Sequence, residues 1–290
     1  MWWLVVFLSR VIRNIREELK HIEFSYNGEI NVFKMNDNIV CASFVTEEKS
    51  YFIEYNENGL LESKYKNKII LENNGINTGI VKGSNNIIIY EDYIYGDDYR
   101  TAEEKDFQDE NFVRLLAKWY KKFYSIEGLE GISYFDCFSI KNLVEIKEKY
   151  FLVNNKFVNY VEKNFDNICL KFIRIKSGFV ISNISMKNIV VSKKNPELLI
   201  VDFKDVFKGS RTVDIVAIFK FLSEEMQKVF YEEYGIISEE EFVVNEVVMC
   251  LVNLFMLIDV PNKEFEIGNL LNCISSEKMY EKAKVLVNWY

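Results

Sequence analysis

The chain has 290 residues, of which 49% are apolar and 28% charged, and its net charge is −8. This composition excludes disorder, collagen-like repeats and low complexity. The acidic balance argues against nucleic acid as a partner, because phosphate contacts need Lys and Arg. With one histidine, His21, and five scattered cysteines without a C-x-x-C, the chain has almost no ligands for zinc and no disulfide framework. A His-dependent triad has only His21 to draw on.

The first segment is apolar from Trp2 to Leu8 and then basic at Arg10, Arg13 and Arg16. That order is the reverse of a signal peptide. The apolar run is too short to span a membrane, which takes about 20 residues. Leu4, Leu8, Val11, Ile12, Ile15 and Leu19 recur at helical spacing, so residues 1–22 read as an amphipathic helix docked on the protein or a partner. The Trp pair and the Arg face leave loose contact with a membrane surface as a minor reading. The default location is the cytoplasm.

Residues 23–92 read as β-rich. Glu23–Met35, Asn38–Val45 and Ser50–Tyr55 carry aromatic and β-branched residues and are separated by turn sequences. A helix follows over Leu60–Glu72, stopped by Asn-Asn-Gly, and then come two strands, Thr78–Lys82 and Asn86–Tyr90. Residues 93–290 read as mainly helical. Phe112, Leu115, Leu116, Trp119 and Phe123 mark one face, and the later helices include Leu143–Lys149, Lys156–Phe165, Ile168–Ile175, Val213–Phe230 and Ser238–Ile258. The last begins with Ser238…Glu241, a capping-box pattern. A β island over Phe179–Ile181, Ile189–Ser192 and Leu198–Phe203 interrupts the helices, with a turn at Pro196.

The informative stretch is ISNISMKNIVVSKKNPELLIVDFKDVFKGSRTVDIVAI, residues 181–218. A strand, a Pro turn, a second strand, Asp202-Phe203-Lys204-Asp205 and then Asp214 at a helix head follow one another in order. This segment resembles the catalytic segment of the aminoglycoside phosphotransferase and choline kinase-like family. The resemblance implies an α+β, two-lobed protein-kinase-like fold, with a small antiparallel β-sheet lobe bearing one helix and a larger helical lobe holding the hairpin 181–205. It also implies ATP or GTP and magnesium as cofactors, and a small, cationic alcohol as substrate. Asn188 and Asp202 stand where the family draws its metal ligands, and magnesium prefers such oxygen donors.

The departures are equally informative. The family's base position falls on Asn183, and an amide cannot accept the proton of a hydroxyl. Its His position falls on Ile181. The phosphate-binding Lys that ends a small-lobe strand is replaced by Glu54, and Lys64 stands near the partner position on the following helix. A charge-swapped Glu54–Lys64 pair is therefore expected to brace the lobe without gripping phosphate. No G-x-G-x-x-G occurs, and only Gly28 offers a turn over a phosphate. Residues 87–96 look like the last small-lobe strand and the linker, with Glu91, Tyr93 and Ile94 placed to meet an adenine. Tyr124 takes the place of a family His. The Glu- and Asp-rich runs read as solvated surface. Three functions stay open: a pseudokinase-like protein with impaired phosphotransfer, an active small-molecule kinase, and an interaction module that uses no nucleotide.

Overall fold

The computed structural model describes residues 2–35, 39–94, 96, 98–175, 177–181, 184–201 and 206–289, the side chains of 2–5 and 177 excepted. In chain order the helices and strands are α1 (Trp2–His21), β1 (Asn31–Met35), β2 (Val40–Val45), β3 (Ser50–Tyr55), α2 (Glu62–Asn73), β4 (Ile80–Gly83), β5 (Ile87–Glu91), β6 (Tyr99–Thr101) and α3 (Glu110–Tyr124). They continue with β7 (Ile132–Ser133), α4 (Tyr134–Cys137), α5 (Ile140–Lys149), α6 (Lys156–Lys163), α7 (Phe165–Arg174), β8 (Ser177–Val180), β9 (Ile189–Ser192) and β10 (Leu198–Ile200). The last are β11 (Phe207–Ser210), α8 (Thr212–Phe219), α9 (Glu224–Tyr234), α10 (Glu239–Met256), α11 (Glu264–Ile274) and α12 (Glu277–Asn288).

The chain forms two compact units. The first comprises Met1–Glu130, Asn183–Asp205 and Phe221–Tyr234, and the second comprises Gly131–Ser182, Val206–Lys220 and Gly235–Tyr290. In the first, β1 to β5 make an antiparallel sheet in the order β1-β2-β3-β5-β4. Alternation along these strands gives the sheet two distinct faces. One face, with Ala42, Phe44, Ile53, Tyr55, Ile87 and Ile89, is covered by Val11, Ile15 and Leu19 of α1. The expected amphipathic first helix is thus a cap on the sheet. The segment from Glu23 to Ile30, read as strand from its sequence, is a connection. Glu23 takes a left-handed φ of 54°, and a Cβ at Gly28 would sit 2.7 Å from the Val45 carbonyl, so the backbone there packs too closely for a side chain.

The opposite face receives α2, and local sequence sets where that helix lands. Asn56, only 3% exposed, accepts from the N–H groups of Asn58 (2.8 Å) and Leu60 (3.2 Å), turning the chain sharply after β3. At the far end Gly75 takes φ +67°, and the N–H groups of Gly75 and Ile76 return to the carbonyls of Glu72 and Leu71. The first unit also contains the sheet β10-β9-β6 and the pair α3 and α9.

The second unit holds β7, β11 and β8 in one sheet, with α10 contributing ten buried residues, Val243 and Val244 among them, to a helical core. The helix expected over Val213–Phe230 is broken into α8 and α9. Ser223 supplies a new start, its hydroxyl accepting from the Met226 N–H and its carbonyl from the Gln227 N–H. Ser238 caps α10 through the Glu241 N–H at 3.2 Å, but the Glu241 carboxylate goes to Arg211 in two 3.0 Å hydrogen bonds and does not reach back to the cap. Among the described residues no helix is long and apolar enough to cross a membrane.

Candidate active site

Glu54 lies mid-strand in β3, opposite Cys41 on β2 and Ile88 on β5. Its face is the one that α2 covers. Lys64, near the start of α2, donates to both carboxylate oxygens at 2.7 and 2.6 Å, and the Tyr90 hydroxyl adds a third hydrogen bond at 2.8 Å. Both ionic side chains are about five-sixths buried, at 16% and 15% exposed. One turn further, the Lys68 ammonium lies 5.6 Å from the centroid of the Tyr90 ring. Burial alone pushes the Glu54 pKa up. The attraction of Lys64, its hydrogen bond, the Tyr90 hydroxyl and the charge of Lys68 outweigh burial and hold the carboxyl below its usual range. The expected Glu54–Lys64 pair is therefore formed. It ties α2 to the sheet, and Asn67 ties the same helix to Glu130 by exchanging two hydrogen bonds with that backbone, at 2.6 and 2.7 Å.

The residues from Glu91 to Ile94 are largely engaged by neighbouring segments. The Glu91 carboxylate pairs with Lys49 at 2.8 Å, and its N–H donates to the Gly79 carbonyl. The Asp92 N–H donates to the Ser50 carbonyl, and the N–H of exposed Ile94 donates to the Asp92 carboxylate at 3.1 Å. Tyr93 donates its hydroxyl to Asn77 and sets its ring edge-on to Tyr99, 5.2 Å between centroids. The backbone donors of Glu91, Asp92 and Ile94 are thus already engaged.

In the hairpin, β9 and β10 pair from Leu198–Val191 to Ile200–Ile189. Asn188 ends the short turn before β9, and its carbonyl accepts from the Val201 N–H at 2.8 Å. Its side-chain oxygen accepts from both the N–H (3.2 Å) and the hydroxyl (2.6 Å) of Ser185. An amide oxygen has two lone pairs, so both are in use. Asn183 and Asp202, with Phe203 to Asp205, lie outside the described residues. Among the described residues there is no cluster of three or more His, Cys, Asp or Glu able to hold a metal. Before it can ligate a metal, the Asn188 side-chain oxygen must give up one of its two Ser185 donors.

Within the second unit, Asp214 lies in the first turn of α8 and is only 3% exposed. Both its oxygens accept the Ile181 N–H, at 3.2 and 3.0 Å. A helix N-terminus favours such a carboxylate. The bond uses the backbone of residue 181, so it does not depend on the side chain there. The sequence suggested pairing Glu54 with Lys64 but missed Tyr90, Lys68 and Asn67, which surround that pair or anchor its helix. Their signal was available in the spacing, since Tyr90 and Ile88 share a strand face, and Lys64 and Lys68 share a helix face.

Solved structures match nearly the whole chain. Choline kinase LicA from Streptococcus pneumoniae superposes with a TM-score of 0.63 at 12% identity, over 97% of this chain and 100% of that one. The aminoglycoside phosphotransferase APH(2″) with GDP and kanamycin gives 0.60 at 11% identity, over 95% and 99%. Spectinomycin phosphotransferase with ADP and spectinomycin gives 0.53 at 14% identity, over 94% and 98%. The chain has their fold. It is the α+β, two-lobed protein-kinase-like fold, with an antiparallel N-terminal sheet and a mainly helical C-terminal region. No family model and no curated protein matches the chain by sequence.

Proposed function

We propose that the protein is a kinase-like protein in which phosphotransfer is impaired or absent. The observation that carries this reading is the inverted Glu54–Lys64 pair. A carboxylate where the phosphate-binding cation is expected repels nucleotide phosphates, and the neighbouring ammonium is committed to that carboxylate. Asn183, at the base position, removes a further factor of roughly 10²–10⁴. The division into an amphipathic helix (1–22), a β-rich lobe (23–92) and a helical lobe (93–290), and a cytoplasmic location, belong to the same proposal.

Solved neighbours carry AMP, ADP or GDP, which supports a purine nucleotide as the ligand that any residual binding would favour. Titration with Mg·ATP and Mg·GTP is expected to give small shifts in melting temperature. Assays with choline, ethanolamine, kanamycin and spectinomycin are expected to give turnover near the blank. Phosphorylation of any of these at kinase-like rates would overturn the proposal in favour of an active small-molecule kinase. That second reading draws support from the Asp214–Ile181 bond, which keeps the start of the loop in place. The third possibility, an interaction module without nucleotide, gains if neither nucleotide shifts the melting temperature at millimolar concentration.

A further inference from the structure

Helix α1 has a second side that the sheet does not use. Val11, Ile15 and Leu19 face the core at 7%, 0% and 0% exposure. Arg10, Arg13, Arg16 and Lys20, spaced three, three and four residues apart, are all exposed. That spacing sets them in one stripe along the helix. The stripe is not purely basic, since Glu17 is exposed beside it and Arg10 reaches Glu57 at 3.3 Å. The helix nevertheless carries four basic and two acidic side chains, leaving 32 basic and 42 acidic for the rest of the chain. The chain is acidic, and this helix is its local exception.

At the C-terminal end of the stripe, Arg16 and Lys20 line an open groove of about 380 Å³ together with Glu23, Phe24 and Tyr26. Lys82 brings a further ammonium to its edge, donating to the Glu23 carbonyl at 3.2 Å. At the other end, the helix opens Trp2-Trp3-Leu4-Val5-Val6, and Val6 is 53% exposed. Phe7 is the first residue described as packing against the core, so about 7.5 Å of helix precedes it at 1.5 Å per residue.

We propose that the solvent side of α1 docks on an anionic lipid surface. Arg10, Arg13, Arg16 and Lys20 meet lipid phosphates while the apolar first turn, ahead of Phe7, enters the headgroup region. Docking α1 on the sheet requires only that its outer side be polar, and does not require four cations in line. A flat anionic surface can engage this side of the helix, and acidic groups farther off than the Debye length of about 8 Å are screened from it. An apolar helix start gains from a bilayer interface and gains nothing from nucleic-acid phosphates, which decides between the two polyanions. This inference is independent of whether the protein transfers phosphate.

The test is co-sedimentation of the full chain with vesicles of phosphatidylcholine alone or mixed with phosphatidylserine. Binding is expected only to the mixed vesicles and is expected to weaken as salt rises. Each basic side chain near an anionic surface contributes about fivefold. The triple variant Arg13→Glu, Arg16→Glu, Lys20→Glu should therefore lose about a hundredfold or more, with an unchanged melting temperature because all three are exposed. The variant Arg13→Lys, Arg16→Lys should bind like the parent, and Arg13→Gln, Arg16→Gln should fall between. Equal binding to neutral vesicles, no binding to mixed ones, or full binding by the triple variant would overturn the proposal. So would a single-stranded oligonucleotide binding as tightly as the mixed vesicles.

Discussion

Two anchors in this molecule hold kinase-like geometry by different means. In the second unit, buried Asp214 fixes the start of the hairpin segment through the Ile181 backbone. In the first, Glu54 and Lys64 join strand to helix through a side-chain ion pair. A backbone contact tolerates any side chain at its partner, so Ile181 costs the frame nothing. A side-chain ion pair keeps its structural value when both signs are exchanged, but it loses its ability to attract a phosphate. Frame and chemistry can therefore separate at the second kind of anchor and need not separate at the first.

The largest effect is expected at the backbone anchor. Asp214→Ala leaves the Ile181 N–H buried without its acceptor, which should cost about 3 kcal/mol. Asp214→Asn keeps one acceptor oxygen and should recover about half of that. The urea midpoint at constant slope measures both. If Asp214→Ala shifts the midpoint no more than a surface substitution does, the contrast between the two anchors collapses.

The ion pair comes next. Lys64→Met strands Glu54 in a largely buried site and should cost about 2 kcal/mol, below the 3–5 kcal/mol of a fully buried pair. The exchange Glu54→Lys with Lys64→Glu should restore most of this, with a coupling of about 1–2 kcal/mol in the double-mutant cycle. It also places the cation on the strand. If the proposed function is right, this exchanged protein shows a larger thermal shift with Mg·ATP than the parent. A parent that already binds more tightly than the exchanged protein would show that Glu54 does not block the phosphate.

Acid sharpens the same comparison. The Glu54 carboxyl lies below its usual range through Lys64, Tyr90 and Lys68 against the opposing effect of burial. The Asp106 carboxyl is held down chiefly by its hydrogen bonds with Arg100, at 2.6 Å each. A carboxyl depressed on folding contributes stability that is full above its unfolded pKa, about 4, and is lost as pH falls through the folded value. Stability should thus be level from pH 8 to 6 and should fall below about pH 4. Glu54→Gln and Asp106→Asn should each make that fall shallower. An unaltered acid slope in both variants would mean that other carboxyls carry it.

Much of this was legible in the residues. Asn56 and Gly59 before α2 and Asn-Asn-Gly after it bound the helix, and a bounded helix after β3 brings Lys64 over Glu54. The hairpin was legible because Pro196 separates two short β-branched runs. Tertiary contacts were not. Nothing in the periodicity of 213–230 competes visibly with one long helix, because the break rests on a single serine cap at Ser223. Lys68 reads as surface by residue type, and its burial comes from tertiary contacts such as that with the Tyr90 ring. Strand β11 carries Gly209, where a Cβ would meet Tyr134 at 2.8 Å, and a glycine chosen for close approach weakens the local strand signal.

The smallest effect tests whether Asn188 serves structure or metal. Its side-chain oxygen caps the turn through Ser185, so Asn188→Ala should cost about 1 kcal/mol or less. A cap contributes equally with and without magnesium, because both lone pairs are already spent on Ser185. A ligand behaves differently: magnesium with nucleotide would stabilise the parent and fail to stabilise the variant. Melting curves of both proteins with Mg·ATP, Mg²⁺ alone and EDTA separate the two roles. Equal increments in parent and variant are the expected outcome. An increment confined to the parent would show that Ser185 yields its hydrogen bond to a metal, which would return Asn188 to the chemistry its position implies in the family.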